Sequence, residues 1–138
     1  VYKRQANILR LSMYTNQSLT FLKKGVNSMD KRYMALGTSM LVLKLLKQQS
    51  MYGYQIIREL EQQSHNVFRL QEGTLYPVLH TLEQQGAVTS FQQTSENGRL
   101  RKYYALTTHG ETMLDEKLKE WEIYQTAINQ VIGGVLFE

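Results

Sequence analysis

The segment that most constrains this chain spans residues 72–86, with a basic stretch following at residues 99–107. In the first, Leu75, Leu79 and Leu82 recur at i, i+4 and i+7, the spacing of one buried helix face. The other side carries Thr74, Tyr76, His80 and Thr81, side chains that a core does not need. Val78 also reads as outward-facing and able to touch a thymine methyl. Pro77 falls in the first turn or two, where a missing N–H costs little, and Gly86 stands where a left-handed C-terminal cap belongs. Residues 88–93 then read as a strand, 94–98 as a turn and 101–106 as the return strand. Asn97-Gly98 signals the hairpin, because both residues tolerate positive φ. On the return strand Tyr103 and Ala105 share one face, and Tyr104 and Leu106 the other.

The remaining elements follow from the same periodicities. Leu36, Met40, Leu43 and Leu46, supported by Leu41 and Leu45, predict a first helix that begins near Gly37 and ends around residues 48–50. Met51-Tyr52-Gly53 reads as a turn. A second helix is predicted over 54–63, with Tyr54, Ile57 and Leu60 on its inner face, and residues 66–70 join it to the third. Thr108 is the expected N-cap of a last helix, with Glu111 as its capping-box partner, and that helix runs to about residue 132. Leu114, Leu118, Trp121, Ile128 and Ile132 form one stripe along it, with Gln125 at the intervening turn. A small domain cannot cover so long a stripe, so a second copy is expected to do so. The order is helix, helix, helix, strand, strand, helix. That is a mainly α fold with a small β-hairpin: a winged helix-turn-helix over 34–107 and a long C-terminal dimerisation helix over 108–138.

Composition bounds the chemistry. A length of 138 residues predicts one domain, or one domain plus a tail. It contains no cysteine, which excludes disulfides, thiolate metal sites and cysteine nucleophiles and fits a cytoplasmic protein. The best apolar run, 40–46, is interrupted by Lys44 and is far shorter than the roughly 20 residues a bilayer needs. His65, His80 and His109 are scattered, without a second histidine or carboxylate at metal spacing and without an obvious nucleophile. There is no GxGxxG and no P-loop. An enzyme is therefore not expected, nor a cofactor or metal.

Net charge is +4, unevenly spread. Residues 1–32 hold seven basic side chains against one acidic, while 111–138 hold two basic against six acidic. The pI is thus a weak argument for nucleic acid, and the local distribution is a better one. Residues 1–33 form an N-terminal extension of poor periodicity. It is either a stretch upstream of Met29 with no native role or a basic arm for DNA or a partner subunit. The hairpin tip is basic through Arg99, Arg101 and Lys102, which can neutralise phosphates or reach a minor groove. Together with Tyr54, Thr74, Tyr76, Pro77 and His80 these are the candidate DNA-facing residues. The plainer alternatives are a solvated helix face and an ordinary charged hairpin. Tyr52, Tyr54, Tyr103 and Tyr104 also read as core or interface side chains rather than a base-stacking platform. Leu118, Trp121, Gln125 and Ile128 are assigned to the dimer interface, where a lone Trp in an apolar stripe usually packs.

With these residues in place, the chain resembles the PadR family of bacterial transcriptional regulators, in its short-chain subgroup. The resemblance rests on Tyr52-Gly53-Tyr54-Gln55-Ile56, Glu72-Gly73-Thr74-Leu75-Tyr76-Pro77-Val78-Leu79, Leu82-Glu83-Gln84-Gln85-Gly86, Arg101-Lys102-Tyr103-Tyr104-Ala105-Leu106-Thr107 and Gly110. It covers about residues 36–132. The stretch before Met29 and a wing with modest basic content depart from the pattern. What the resemblance implies is a homodimeric repressor whose last helix packs on the partner's first helix. Its third helix would enter the major groove of a palindromic operator. Some similar proteins hold flat aromatic compounds between the subunits against a tryptophan of the last helix, and Trp121 stands at that place. The alternative is a regulator controlled by a protein partner, or one with no ligand.

Overall fold

The computed structural model describes residues 37–133. Helix α1 (37–48) is followed by a short strand β1 (Met51–Tyr52), α2 (Gly53–Gln63), α3 (Glu72–Gln84), the hairpin strands β2 (Val88–Thr94) and β3 (Leu100–Leu106), and α4 (Thr108–Gly133). Leu36 and the N-terminal extension lie outside the described residues.

One apolar core gathers a side of every helix. Val42, Leu43, Leu45 and Leu46 come from α1; Ile56, Ile57 and Leu60 from α2; Leu75, Leu79 and Leu82 from α3; and Leu114 from α4. Met51, Val88 and Tyr104 close it from the sheet. The leucine spacing of α3 therefore does in the fold what its period dictates. Two assignments need correction. Tyr54 is not on the inner face of α2 but half exposed, because Ile56 shares the buried side with Ile57 and Leu60. Val78 does not face out: it is half-buried and packs against the core.

The sheet has three antiparallel strands in the order β1-β3-β2. Met51-Tyr52 is thus a strand and not a turn, with Met51 opposite Tyr104 and Tyr52 opposite Tyr103. Two residues are too short for alternation to be legible, and only pairing with β3 makes them a strand. The hairpin turn also differs from expectation. Gly98 has φ +80°, while Asn97 is not among the positive-φ residues. Ser95 donates its N–H to the Arg99 carbonyl at 2.8 Å, and Gly98 donates to Ser95 at 2.9 Å. This is a three-residue loop with a single left-handed glycine, rather than a turn with two positive φ values.

The ends of α3 fix how it is presented. At its start Pro77 is the sixth residue, well inside the helix, so the Gly73 carbonyl lacks its helical donor. At its end Gly86 has φ +75°, and the Gly86 and Ala87 N–H groups donate to Glu83 and Leu82, the paired bonds of a Schellman motif. The turn from α2 into α3 uses His65 and Asn66, both left-handed, with Asn66 N–H on the Glu61 carbonyl at 2.7 Å.

The cap of α4 is Thr107, not Thr108. Its Oγ1 accepts the Gly110 N–H at 3.0 Å and donates to the Gly86 carbonyl at 2.6 Å. Its N–H donates to Ala87 at 3.1 Å. One side chain therefore ties the exit of β3, the start of α4 and the end of α3. With Thr107 as the cap, the third helical position is Gly110, so Glu111 falls one position too late and the capping box predicted from Thr108 does not form. Thr107→Val keeps the shape and removes both side-chain bonds, so it should cost about 1–2 kcal/mol in urea unfolding. An unchanged midpoint would contradict this role.

Candidate nucleic-acid interface

The face of α3 turned away from Leu75, Leu79 and Leu82 is open. Thr74, Tyr76, Pro77, His80 and Thr81 are all exposed. The Thr81 hydroxyl donates to the Pro77 carbonyl at 3.0 Å, so it is held close to the helix and its lone pairs remain free. A helix about 10–12 Å across with small and polar side chains on its free side fits a B-DNA major groove.

Tyr76 sits at the edge of that face and does two things. Although 45% exposed, its ring packs against the start of α2, where a Cβ on Gly53 would lie 2.6 Å from the Tyr76 hydroxyl. Gly53 thus allows α2 and α3 to approach closely, a constraint that the sequence motif carries but that periodicity does not reveal. Burial pushes the Tyr76 pKa above the ordinary 10.0, the Glu72 carboxylate and Tyr104 add to this, and Arg101 opposes it. At neutral pH the hydroxyl is therefore a hydrogen-bond donor, suited to phosphate or base acceptors. Because the folded-state pKa is raised, the associated stability is present below about pH 10 and should fade as pH climbs past it in alkaline unfolding.

The hairpin divides the basic residues. Arg99 is exposed in the turn. Arg101 lies on the outer sheet face with its guanidinium carbon 5.1 Å from the Tyr52 ring centroid, and its Nε is buried without a hydrogen-bond partner. Lys102 lies on the opposite face, its ammonium 5.5 Å from the Tyr104 ring. The three cations predicted as one tip are thus one turn residue and two residues held by tyrosines on opposite faces of β3. The outer face also carries an aromatic row in register across the strands: Tyr52 against Tyr103 edge-on at 5.3 Å, and Phe91 stacked on Tyr103 at 5.7 Å. That row buries Tyr103 and stiffens the wing.

Helix α4 carries a second, separate group. Leu118 packs against the core, whereas Trp121, Gln125 and Ile128 are exposed. Trp121 and Tyr124 face each other at 6.0 Å, and Ile123, Val131 and Ile132 also stand open. Sequence reading missed Arg58, which lies one turn after Tyr54 on the exposed side of α2. The signal available was the i, i+4 spacing of an aromatic and a cation. Among the described residues no group of three or more His, Asp or Glu could hold a metal, and no helix is long and apolar enough to cross a membrane.

Known proteins share this fold. A PadR family transcriptional regulator from Eggerthella lenta superposes with a TM-score of 0.67 at 27% identity, over 80% of this chain and 95% of that one. A PadR family transcription regulator from Clostridium difficile gives 0.61 at 31% identity, over 70% of this chain and 99% of that one. The transcriptional regulator Rv3488 of Mycobacterium tuberculosis is 37% identical over 71 residues, 51% of this chain and 63% of that regulator. Residues 42–116, from within α1 to the first turns of α4, match the transcriptional regulator PadR-like family. The chain belongs to the PadR-like family of transcriptional regulators, whose role is regulation rather than catalysis.

Proposed function

We propose that the chain is a cytoplasmic, sequence-specific DNA-binding repressor that acts as a homodimer on a palindromic operator and is released by a small aromatic, drug-like molecule. The observation that carries this reading is the free face of α3, flanked by a wing with cations on both sides. In this reading residues 34–107 bind DNA through Tyr54, Thr74, Tyr76, Pro77, His80, Arg99, Arg101 and Lys102. Residues 108–138 join the subunits through Leu118, Trp121, Gln125 and Ile128. Thr74 and His80 read base edges, while Arg99 and Lys102 hold phosphates.

The exposed apolar side of α4 supports the dimer. Trp121, Ile123, Tyr124 and Ile128 are costly to leave in water, and a second copy offers the same chemistry by symmetry. Sedimentation should give twice the chain mass of 16.1 kDa, and Trp121→Ala should shift it toward the monomer. A monomeric intact chain would remove the dimer from this account. The Trp121–Tyr124 pair, with Glu120 and Glu122 beside it, supports a flat cationic aromatic as ligand. Such a dye at micromolar concentration should quench the fluorescence of Trp121, the only tryptophan. No quenching at high micromolar dye would leave a regulator without this ligand.

A further inference from the structure

We propose that Tyr54 and Arg58 form a phosphate clasp on α2, a contact to the duplex DNA backbone separate from the groove-facing side of α3 and from the wing. The inference rests on the DNA-binding reading above and adds Arg58 to it.

Tyr54 and Arg58 lie one turn apart on the exposed side of α2. The Arg58 guanidinium carbon is 5.9 Å from the Tyr54 ring centroid, and Nη1 donates to the Tyr54 hydroxyl at 3.4 Å. Among the described residues Arg58 has no other polar partner and no carboxylate in ion-pair range. The α2 acids do not occupy it: Glu59 accepts from Gln63 at 3.1 Å. The first turn of α2 contains no acid either. An arginine is thus pre-oriented by an aromatic ring with nearly its whole donor fork unused. Such a fork matches the two free oxygens of a phosphodiester.

The location favours DNA over other phosphates. Tyr54 directly follows Gly53, the residue against which the Tyr76 hydroxyl packs. The first turn of α2, which begins at Gly53 and contains Tyr54, therefore adjoins Tyr76 at the edge of the open side of α3. In a helix-turn-helix the helix before the reading helix crosses the sugar–phosphate backbone. A clasp there fixes register and carries no sequence information.

The test uses the full chain and a labelled duplex from upstream of its own gene, with an unrelated duplex alongside. Affinity is measured across a salt series for the native chain, Arg58→Ala, Arg58→Lys and Tyr54→Leu, with circular dichroism confirming the fold. Arg58→Ala should weaken both duplexes by about tenfold. It should also reduce the slope of log K against log salt by about 0.9 per bound protomer. Arg58→Lys should restore the slope, and Tyr54→Leu should lower affinity at constant slope. An unchanged slope in folded Arg58→Ala would overturn the clasp while leaving the DNA-binding reading intact. Failure of the native chain to bind either duplex would overturn both.

Discussion

Gly110→Ala should unfold the domain at temperatures where the native chain is stable. A Cβ at this position would meet Leu106 Cδ1 at 2.6 Å, the Ala87 carbonyl carbon at 3.0 Å and the Ala87 carbonyl oxygen closer still. The leucine tip can rotate away, but the carbonyl cannot. Ala87 is fixed by its N–H on Leu82 and by the Thr107 N–H on its oxygen. Relief therefore requires α4 to lift from the C-terminal turn of α3, which would break the Thr107 bonds to Gly86 and Gly110 and uncover Leu114. Overpacking of this kind costs about 3 kcal/mol or more, a large share of the 5–15 kcal/mol typical of a domain. Thermal melting should show a fall of roughly 12–24 °C, taking 4–8 °C per kcal/mol. Gly73→Ala is the matched control. It sits in a helix with nothing within 4 Å of the added methyl, so its melting temperature should hold or rise. If both variants melted alike, the close approach of α4 to Ala87 would not limit stability.

Thr74→Glu combined with Thr81→Glu should abolish DNA binding without unfolding the chain. Both positions are exposed on α3 and neither contributes to the core. Glu near the start of a helix suits its dipole, and losing the Thr81 bond to Pro77 at the surface costs little. Two carboxylates facing phosphates would oppose association by several kcal/mol, which is at least about 100-fold in affinity. Fluorescence anisotropy reads this directly, with circular dichroism for the fold. Tyr76→Ala is a less clean probe, since removal of its ring also frees the start of α2 at Gly53.

The sequence made the repetitive features legible and left the pairwise ones hidden. Leu75, Leu79 and Leu82 announced α3 because burial repeats with the helix. Gly86 announced its end because a left-handed cap favours one residue type. Strand β1 is invisible because Met51-Tyr52 is defined by its partners Tyr104 and Tyr103, far along the chain. The choice between Thr107 and Thr108 as cap depended on which threonine reaches Gly86, a distance that adjacent threonines do not reveal. The sequence shows the basic side chains of the wing, but a single tip of three cations does not allow for the pleat. Arg101 and Lys102, one residue apart, necessarily point to opposite faces. Arg58 is not legible, because one exposed cation on a helix reads as a solvated face until its ring partner is seen.

In the function proposed above, α3, and not charge in general, recognises DNA. A gel shift at about physiological salt, using the duplex upstream of the gene and an excess of random DNA, separates the two. The intact chain and the Thr74→Glu, Thr81→Glu variant are run side by side. The intact chain should give a discrete complex that survives the competitor, and the variant none. Equal, salt-sensitive smearing by both would contradict it and would assign the binding to the basic residues of 1–32 rather than to α3.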